Sequence, residues 1–258
     1  MSPISFPFIT VVAVGGLLIV CTPAADAGAL GKTLSKEIAG RIAARQAVSS
    51  TERQALKRIL REFDTSALQK LEARYGSYIP KEVLAAAKKK PSTFLDESAY
   101  QSWLRRAYPD VSRRELRGVV GDTHPLTGSV TVNRNQANLV RTLAHERVHQ
   151  LAHPRFRASF GRDLDEGTTD YFAARVSGDL HLVDDIVGYP AQRDLAGMIS
   201  ARVGEAPLAR AYFRGEFDTL AGALERNLGP RSFATLQGHL SRGDLEAAKS
   251  LLLRRISW

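Results

Sequence analysis

The feature that most constrains this chain is a pair of histidines, His145 and His149, four positions apart in the segment LVRTLAHERVHQLAHP. An α-helix advances about 100° per residue, so it places residues four apart on one face, one turn from each other. Two imidazoles in this arrangement can bind a single tetrahedral metal ion. Glu146, next to His145, projects close to the same ion without having to bind it. The segment is therefore predicted to form a helix that carries a candidate metal site.

The sequence around the two histidines favours a helix. Asn135 is suited to the N-cap position, because its side chain can accept a hydrogen bond from a free backbone N–H. Apolar residues recur with helical spacing along one stripe, at Leu139, Leu143, Val148 and Leu151. We therefore expect an amphipathic helix whose apolar stripe packs on the rest of the chain.

A catalytic zinc ion needs a third protein ligand and one open position. His153 continues the four-residue spacing, but eight residues span about 12 Å of helix, so His153 and His145 cannot meet at one ion. Glu166, in LDEGTTDYFAARV, is the better candidate, with Asp165 beside it as the fallback. Asp170 falls one turn after Glu166 on the same face of a second predicted helix. There it can accept a hydrogen bond from the far ring nitrogen of His145.

These two segments resemble the gluzincins, which are the thermolysin-like and aminopeptidase-like zinc peptidases. The gluzincin pattern is H-E-x-x-H, then a glutamate on a following helix, often before a glycine, with an acidic residue one turn later. The resemblance covers about residues 115–190 and looks closest to small exported bacterial peptidase domains. It implies one zinc ion per chain, held by His145, His149 and Glu166. It also implies that Glu146 activates a zinc-bound water to hydrolyse peptide bonds in a peptide or protein substrate.

The resemblance also implies a fold and a donor for the oxyanion that develops in the reaction. The expected fold is α+β and mostly α. It would have a zincin-like core, with a short β-hairpin or edge sheet before the active-site helix and a helical C-terminal subdomain after it. Gluzincins commonly place a tyrosine or histidine after the glutamate helix as the donor. His181, Tyr189 and Arg193 are the candidates here, and Tyr189, in a Gly-Tyr-Pro turn, is preferred.

Two short segments before the motif predict β-structure. ELRGVVGD and TGSVTVNRN alternate apolar and polar residues, contain β-branched residues and are separated by THPL, so they are expected to form a hairpin or two edge strands. In zinc peptidases an edge strand beside the active helix pairs with an extended substrate. Val130, Val132 and Asn133 are predicted to perform this role.

Residues 28–110 are predicted to form a helical N-terminal region, and residues 111–258 the zincin-like metallopeptidase domain with its C-terminal helices. SSTERQALKRILREF and DTSALQKLEARYG are expected to be separate short helices, followed by helices in PKEVLAAAKKK and DESAYQSWLRRAYP. No catalytic motif occurs in this region, which is typical of a helical scaffold or pro-segment.

Residues 1–27 have the features of a secretory signal. An apolar run at residues 6–21 is followed by small residues and an A-x-A pattern that ends at Ala27, which predicts cleavage there and export to the periplasm or the medium. No basic residue precedes the apolar run, so a membrane anchor at residues 6–21 stays the alternative. Cys21 is the only cysteine. The mature chain would therefore have only nitrogen and oxygen ligands for a metal.

The formal net charge is +9. Removal of residues 1–27, which contain Asp26 but no Lys or Arg, would leave 36 minus 26, or +10. A basic balance of this size favours contact with anionic surfaces, here through the basic N-terminal helices. One alternative to a peptidase is therefore a catalytically inactive zincin-like or basic binding module at a membrane or cell-wall surface. A nucleic-acid binder is the other, but no groove-reading or stacking motif supports specific binding.

Overall fold

The computed structural model of the 258-residue chain describes residues 10–14, 17–21, 50–177 and 189–254. Strands β1 (Thr10–Val14) and β2 (Leu17–Cys21) pair in antiparallel fashion. Across the described ranges, no helix is both long enough and apolar enough to cross a membrane. The predicted cleavage site at Ala27 lies outside the described residues.

Residues 50–116 form four helices and one strand: α1 (Ser50–Tyr75), α2 (Lys81–Lys88), β3 (Thr93–Leu95), α3 (Glu97–Ala107) and α4 (Arg113–Leu116). Two of the helices predicted here are in fact one, because α1 continues through Asp64 without a break. The Asp64 side chain does not cap a new helix. It is buried and accepts hydrogen bonds from Ser92 and Arg147 instead.

Strands β4 (Gly121–Thr123) and β5 (Val130–Asn133) form the expected hairpin, and β3 extends it to a three-stranded sheet in the order β3-β5-β4. Strand β5 pairs in parallel with β3 and in antiparallel fashion with β4, and all four of its residues are buried. The prediction that Val130, Val132 and Asn133 pair with substrate is therefore wrong, because both edges of β5 already carry a neighbouring strand. Next to the motif helix, the edge strand is β4.

Seven helices follow the sheet in the described part of the chain: α5 (Leu139–Leu151), α6 (Arg155–Ser177), α7 (Pro190–Val203), α8 (Glu205–Arg214), α9 (Phe217–Leu228), α10 (Ser232–Ser241) and α11 (Leu245–Leu253). The N-cap of α5 is Asn138, three residues later than the predicted Asn135. Helix α6 is interrupted at Gly161, whose φ of 78° and ψ of 173° are not helical. Glu166 therefore lies about one turn into the second part of α6.

One hydrophobic core joins the N-terminal helices to the rest of the molecule. Leu68, Leu71 and Tyr75 of α1 belong to the same buried cluster as Phe172 of α6 and Phe213 of α8. The rings of Tyr75 and Phe172 lie 4.8 Å apart in an edge-to-face arrangement. The fold of the described residues is α+β and mostly α-helical, as predicted, while the proposed domain boundary at residue 110 stays a prediction.

Candidate metal centre

Helices α5 and α6 bring His145, His149 and Glu166 together. The Nε2 atoms of His145 and His149 lie 3.3 Å and 3.2 Å from Oε2 of Glu166. All three candidate ligand atoms lie within 4.8 Å of one another. The side chains are 14%, 16% and 11% exposed, so the cluster is largely removed from water but still reachable.

The far ring nitrogens of both histidines face oxygen atoms. Nδ1 of His145 lies 3.7 Å from Oδ1 of Asp170, and Nδ1 of His149 lies 3.2 Å from Oγ1 of Thr169 and 3.7 Å from Oδ2 of Asp165. A carboxylate can only accept a hydrogen bond, so these surroundings favour a proton on Nδ1. The Nε2 atoms of both rings face the Glu166 carboxylate, where each can bind a metal ion or, when protonated, donate a hydrogen bond to Oε2.

The electrostatics of the cluster favour a positive charge next to Glu166. Burial by itself would lower the pKa of His145, but hydrogen bonds to Asp170 and Glu166 and the charge of Glu146 outweigh burial and raise that pKa to about 10. Burial opposes ionisation of Glu166, yet the two histidines hold its pKa well below the usual range. In the metal-free protein this charge is a proton on an imidazole. A divalent cation would replace it.

The three atoms fit a zinc ion in their chemistry, and the two distances to Glu166 fit it in their spacing. Tetrahedral ligands at the usual zinc–nitrogen and zinc–oxygen distances lie roughly 3.3 Å apart. The two observed distances to Glu166, 3.3 Å and 3.2 Å, match this value. Two imidazole nitrogens and one carboxylate oxygen also form a ligand set that zinc accepts in catalytic sites.

Glu146 is buried between α5 and the edge strand β4, and it is 6% exposed. The Thr123 hydroxyl lies 2.8 Å from both Oε2 and the backbone carbonyl oxygen of Glu146, so the two acceptors share its one hydrogen. On the same face of β4, a Cβ atom on Gly121 would lie only 2.7 Å from Oε1 of Glu146, so the strand can approach the carboxylate only where the residue is glycine. Burial raises the pKa of Glu146 even though His145 and His149 lower it.

Two arginines hold Asp170 behind His145. Nη2 of Arg141 lies 2.8 Å from both carboxylate oxygens, and Nη1 of Arg193 lies 3.5 Å from Oδ2. Burial opposes ionisation of Asp170, but hydrogen bonds with His145 and Arg141 lower its pKa. Nη1 of Arg193 is buried and has no hydrogen-bond partner. The site therefore contains an unsatisfied cationic donor close to the metal ligands.

Tyr189 lies beside the cluster, at the N-cap of α7. Its ring is nearly parallel to that of His145, at an interplanar angle of 23° and a centroid distance of 6.2 Å. Burial and the charge of Glu166 raise the pKa of its phenol, against a hydrogen bond with Arg162. His181, another predicted donor, lies outside the described residues.

His153 does not belong to the metal cluster. Helix α5 ends at Leu151, and the backbone N–H of His153 then donates to the carbonyl of Tyr212 over 2.8 Å. Its ring packs edge-on against Phe217 at 6.3 Å. This is the helix-end position expected for it.

Several residues that complete the site were not predicted from the sequence, namely Gly121, Thr123, Arg141 and Thr169. Arg141 lies one turn before His145 in α5, and Thr169 lies one residue before Asp170 in α6, but neither spacing shows which atom the side chain contacts. Gly121 and Thr123 are more than 20 residues from the ligand histidines, and only the packing of β4 on α5 brings them to Glu146.

Comparisons of the chain with protein-family models, with curated proteins and with solved structures found no match. The assignment of a function therefore depends on the geometry and chemistry of the residues themselves.

Proposed function

We propose that this chain is a zinc-dependent peptidase of gluzincin type, with a zincin-like core, whose metal is bound by His145, His149 and Glu166. The observation that supports it most is the convergence of two imidazole nitrogens and one carboxylate oxygen within 4.8 Å of one another, with both nitrogens at the spacing of zinc ligands from the oxygen. Glu146 lies beside them in a buried position, which suits a general base. A site with only a structural role would not need this carboxylate.

The proposed chemistry divides between the ion and the chain. A bound zinc ion lowers the pKa of a coordinated water and polarises the substrate carbonyl. Glu146 takes a proton from the attacking water and returns it to the leaving amine. The hydroxyl of Thr123, at 2.8 Å, orients the carboxylate for this transfer. Tyr189 and the unsatisfied Arg193 are the proposed donors to the developing oxyanion.

Strand β4 is the proposed binding edge for an extended peptide. The carbonyl of Val120 accepts from the N–H of Asn133, and the N–H of His124 donates to the carbonyl of Ser129, both over 2.9 Å. Backbone groups alternate in direction along an antiparallel strand, so those of Gly121 and Thr123 point away from β5. A substrate strand could add to these groups directly beside Glu146.

A second candidate function is the catalytically inactive binding module at an anionic membrane or cell-wall surface. It is supported by a group of exposed arginines at the end of α3 and around α4, namely Arg105, Arg106, Arg113, Arg114 and Arg117. Arginine clusters bind anionic groups through charge-assisted hydrogen bonds. The retained Glu146 and its ordered surroundings favour the peptidase over this alternative.

Metal analysis by inductively coupled plasma mass spectrometry tests the peptidase proposal. After zinc loading and gel filtration, we expect about one zinc per chain in the parent and in the His153→Ala variant, and much less in Glu166→Ala. His153→Ala is a matched control, because it removes an imidazole on the same segment outside the cluster. The proposal fails if the parent holds no zinc, or if zinc is kept without Glu166 and lost without His153.

A further inference from the structure

The hydroxyl of Thr169 has a complete and unambiguous set of hydrogen bonds. Thr169 is fully buried, and its Oγ1 lies 2.7 Å from the carbonyl oxygen of Asp165, 2.5 Å from the hydroxyl of Tyr212 and 3.2 Å from Nδ1 of His149. A hydroxyl donates one hydrogen and accepts two. Three partners therefore occupy its one hydrogen and its two lone pairs. Once the partner that receives the hydrogen is known, the other two partners must be donors.

The carbonyl of Asp165 decides these directions. A carbonyl oxygen can only accept, so the Thr169 hydrogen goes to Asp165 O, which is the usual helical bond to the residue four positions earlier. The two lone pairs of Oγ1 are left to accept from the Tyr212 hydroxyl and from Nδ1–H of His149. The other polar neighbour of Nδ1, Oδ2 of Asp165 at 3.7 Å, is also an acceptor. His149 is thus held as the tautomer whose Nε2 is free to bind a metal.

We propose that Thr169 is a positioning residue for the metal centre, and that it fixes the tautomer and ring orientation of His149 while Tyr212 holds it in place. This inference rests on the proposed function, because it assumes that His149 binds zinc through Nε2. The ring of Tyr212 packs against Phe156, Phe172 and Phe213 at centroid distances of 4.9, 5.4 and 5.0 Å. The phenol oxygen that reaches Thr169 therefore belongs to a rigid part of the core.

The two ligand histidines differ in the nearest group behind them. Nδ1 of His145 faces the carboxylate of Asp170 at 3.7 Å, whereas Nδ1 of His149 faces the neutral hydroxyl of Thr169 at 3.2 Å, with the Asp165 carboxylate further away at 3.7 Å. An uncharged substitution at Thr169 therefore removes the nearest acceptor of His149 and leaves the charges around the ring unchanged.

Zinc affinity, measured by competition with a chromophoric chelator, tests the role of Thr169. Thr169→Val keeps the shape of the side chain and removes the acceptor, so we expect zinc binding to weaken by about 10-fold to 100-fold. Thr169→Ser restores the hydroxyl and should bind within about threefold of the parent. Thr168→Val is the matched control, because the neighbouring Thr168 hydroxyl is buried without a hydrogen-bond partner. Its zinc affinity should equal that of the parent.

The phenol of Tyr212 is tested by the same assay. Tyr212→Phe should weaken zinc binding by about twofold to tenfold, the effect of one buried hydrogen bond. Tyr171→Phe is its control, because the Tyr171 hydroxyl bonds to Ser200 and Glu205 instead. Equal zinc affinity of Tyr212→Phe and Tyr171→Phe would show that Tyr212 has no part in holding the site.

Nitrogen-15 NMR of the zinc-loaded parent reports the tautomer directly and does not depend on whether a variant folds. We expect the His149 signals of a ring coordinated through Nε2 and protonated at Nδ1. Coordination through Nδ1, or equal zinc affinity of Thr169→Val and Thr168→Val, would overturn the inference about Thr169. In either case, zinc binding by the parent would still support the proposed function. A parent without zinc would instead reject the proposed function itself.

Discussion

Helix α5 has polar groups on two faces, and the two faces differ in how those groups are satisfied. On one face, His145 and His149 direct Nε2 atoms toward the Glu166 carboxylate. On the other face, Arg147 is fully buried and pairs with Asp64 of α1, with Nε to Oδ1 at 2.7 Å. The charge of Glu166 is balanced by imidazoles that can exchange a proton for a metal ion, whereas the charge of Asp64 is balanced by a permanent guanidinium.

The Arg147 side is complete in its hydrogen bonds. Its guanidinium also donates to the carbonyl of Lys90 over 3.0 Å and to the side chain of Gln150 over 2.5 Å. Asp64 accepts in addition from the N–H and hydroxyl of Ser92, at 2.9 and 2.7 Å. Both clusters are buried and charged, so burial alone does not separate a candidate site from a structural anchor. The kind of cation separates them, because a guanidinium cannot bind a metal ion and an imidazole nitrogen can.

The largest effect expected is on catalysis, from Glu146→Gln. The amide keeps the size of the side chain but cannot take the proton, so we expect kcat on a fluorogenic peptide to fall by about 10²-fold to 10⁴-fold. Zinc content and the urea midpoint of unfolding should stay at the parent values. Full activity in this variant would mean that the face of α5 that carries His145 and His149 binds metal without using Glu146 as the base.

Arg147→Met tests the face of α5 that carries Arg147 and should lower the stability of the protein. Loss of the guanidinium leaves the buried Asp64 carboxylate without its counter-charge, which we expect to lower the free energy of unfolding by about 3–5 kcal/mol. Urea denaturation measures this change. The double variant Arg147→Met with Asp64→Leu should recover part of the loss, because no buried charge is left unpaired. Folded Arg147→Met protein should still bind zinc, and loss of zinc without loss of stability would contradict the separation of the two faces.

The sequence predicted the face of α5 that carries His145 and His149 better than the face that carries Arg147. A four-residue spacing places His145 and His149 together in any helix, so the positions of these side chains need no tertiary information. Arg147 occurs within the same five letters, but its spacing does not show that it is buried. Its partner Asp64 lies 83 positions away, and only the packing of α1 on α5 brings the two together.

The errors in the predicted fold have the same origin. Strand β5 was expected at the edge of the sheet because its neighbour in sequence, β4, supplies only one partner. The second partner is β3, at Thr93–Leu95, whose three residues are too few to show an alternating pattern. Likewise, the sequence predicts two short helices where α1 is continuous through Asp64, and the buried contact of Asp64 with Arg147 lies 83 positions away along the chain.

Removal of zinc should destabilise the protein only through the loss of contacts with the metal ligands on the face of α5 that carries His145 and His149, which is called the histidine face below. A ligand that binds only the folded chain stabilises it by about 2.7 kcal/mol when its free concentration is 100 times its Kd. We therefore expect a strong chelator to lower the melting temperature of the parent, measured by circular dichroism. His149→Ala has no complete ligand set, so its melting temperature should not respond to the chelator. An equal response of both proteins would place the stabilising ion elsewhere.

The smallest effect expected comes from Gly121→Ala, which acts on the histidine face from the neighbouring strand. The added Cβ would lie 2.7 Å from both Oε1 of Glu146 and Cγ2 of Thr142, so these two side chains must move by a fraction of an ångström. Displacement of a general base by this amount should lower kcat by about tenfold while zinc binding is kept, because the metal ligands are not touched. Gly197→Ala is the control, since a Cβ there meets only the ring of Tyr171 at 3.9 Å. If both variants had the parent kcat, β4 would not position Glu146. The proposal that a substrate peptide pairs with β4 would then lose support as well. If Gly121→Ala lost zinc as well as activity, Glu146 and the metal ligands would move as one rigid unit. The expectation that Glu146 can be displaced without loss of zinc would then be wrong.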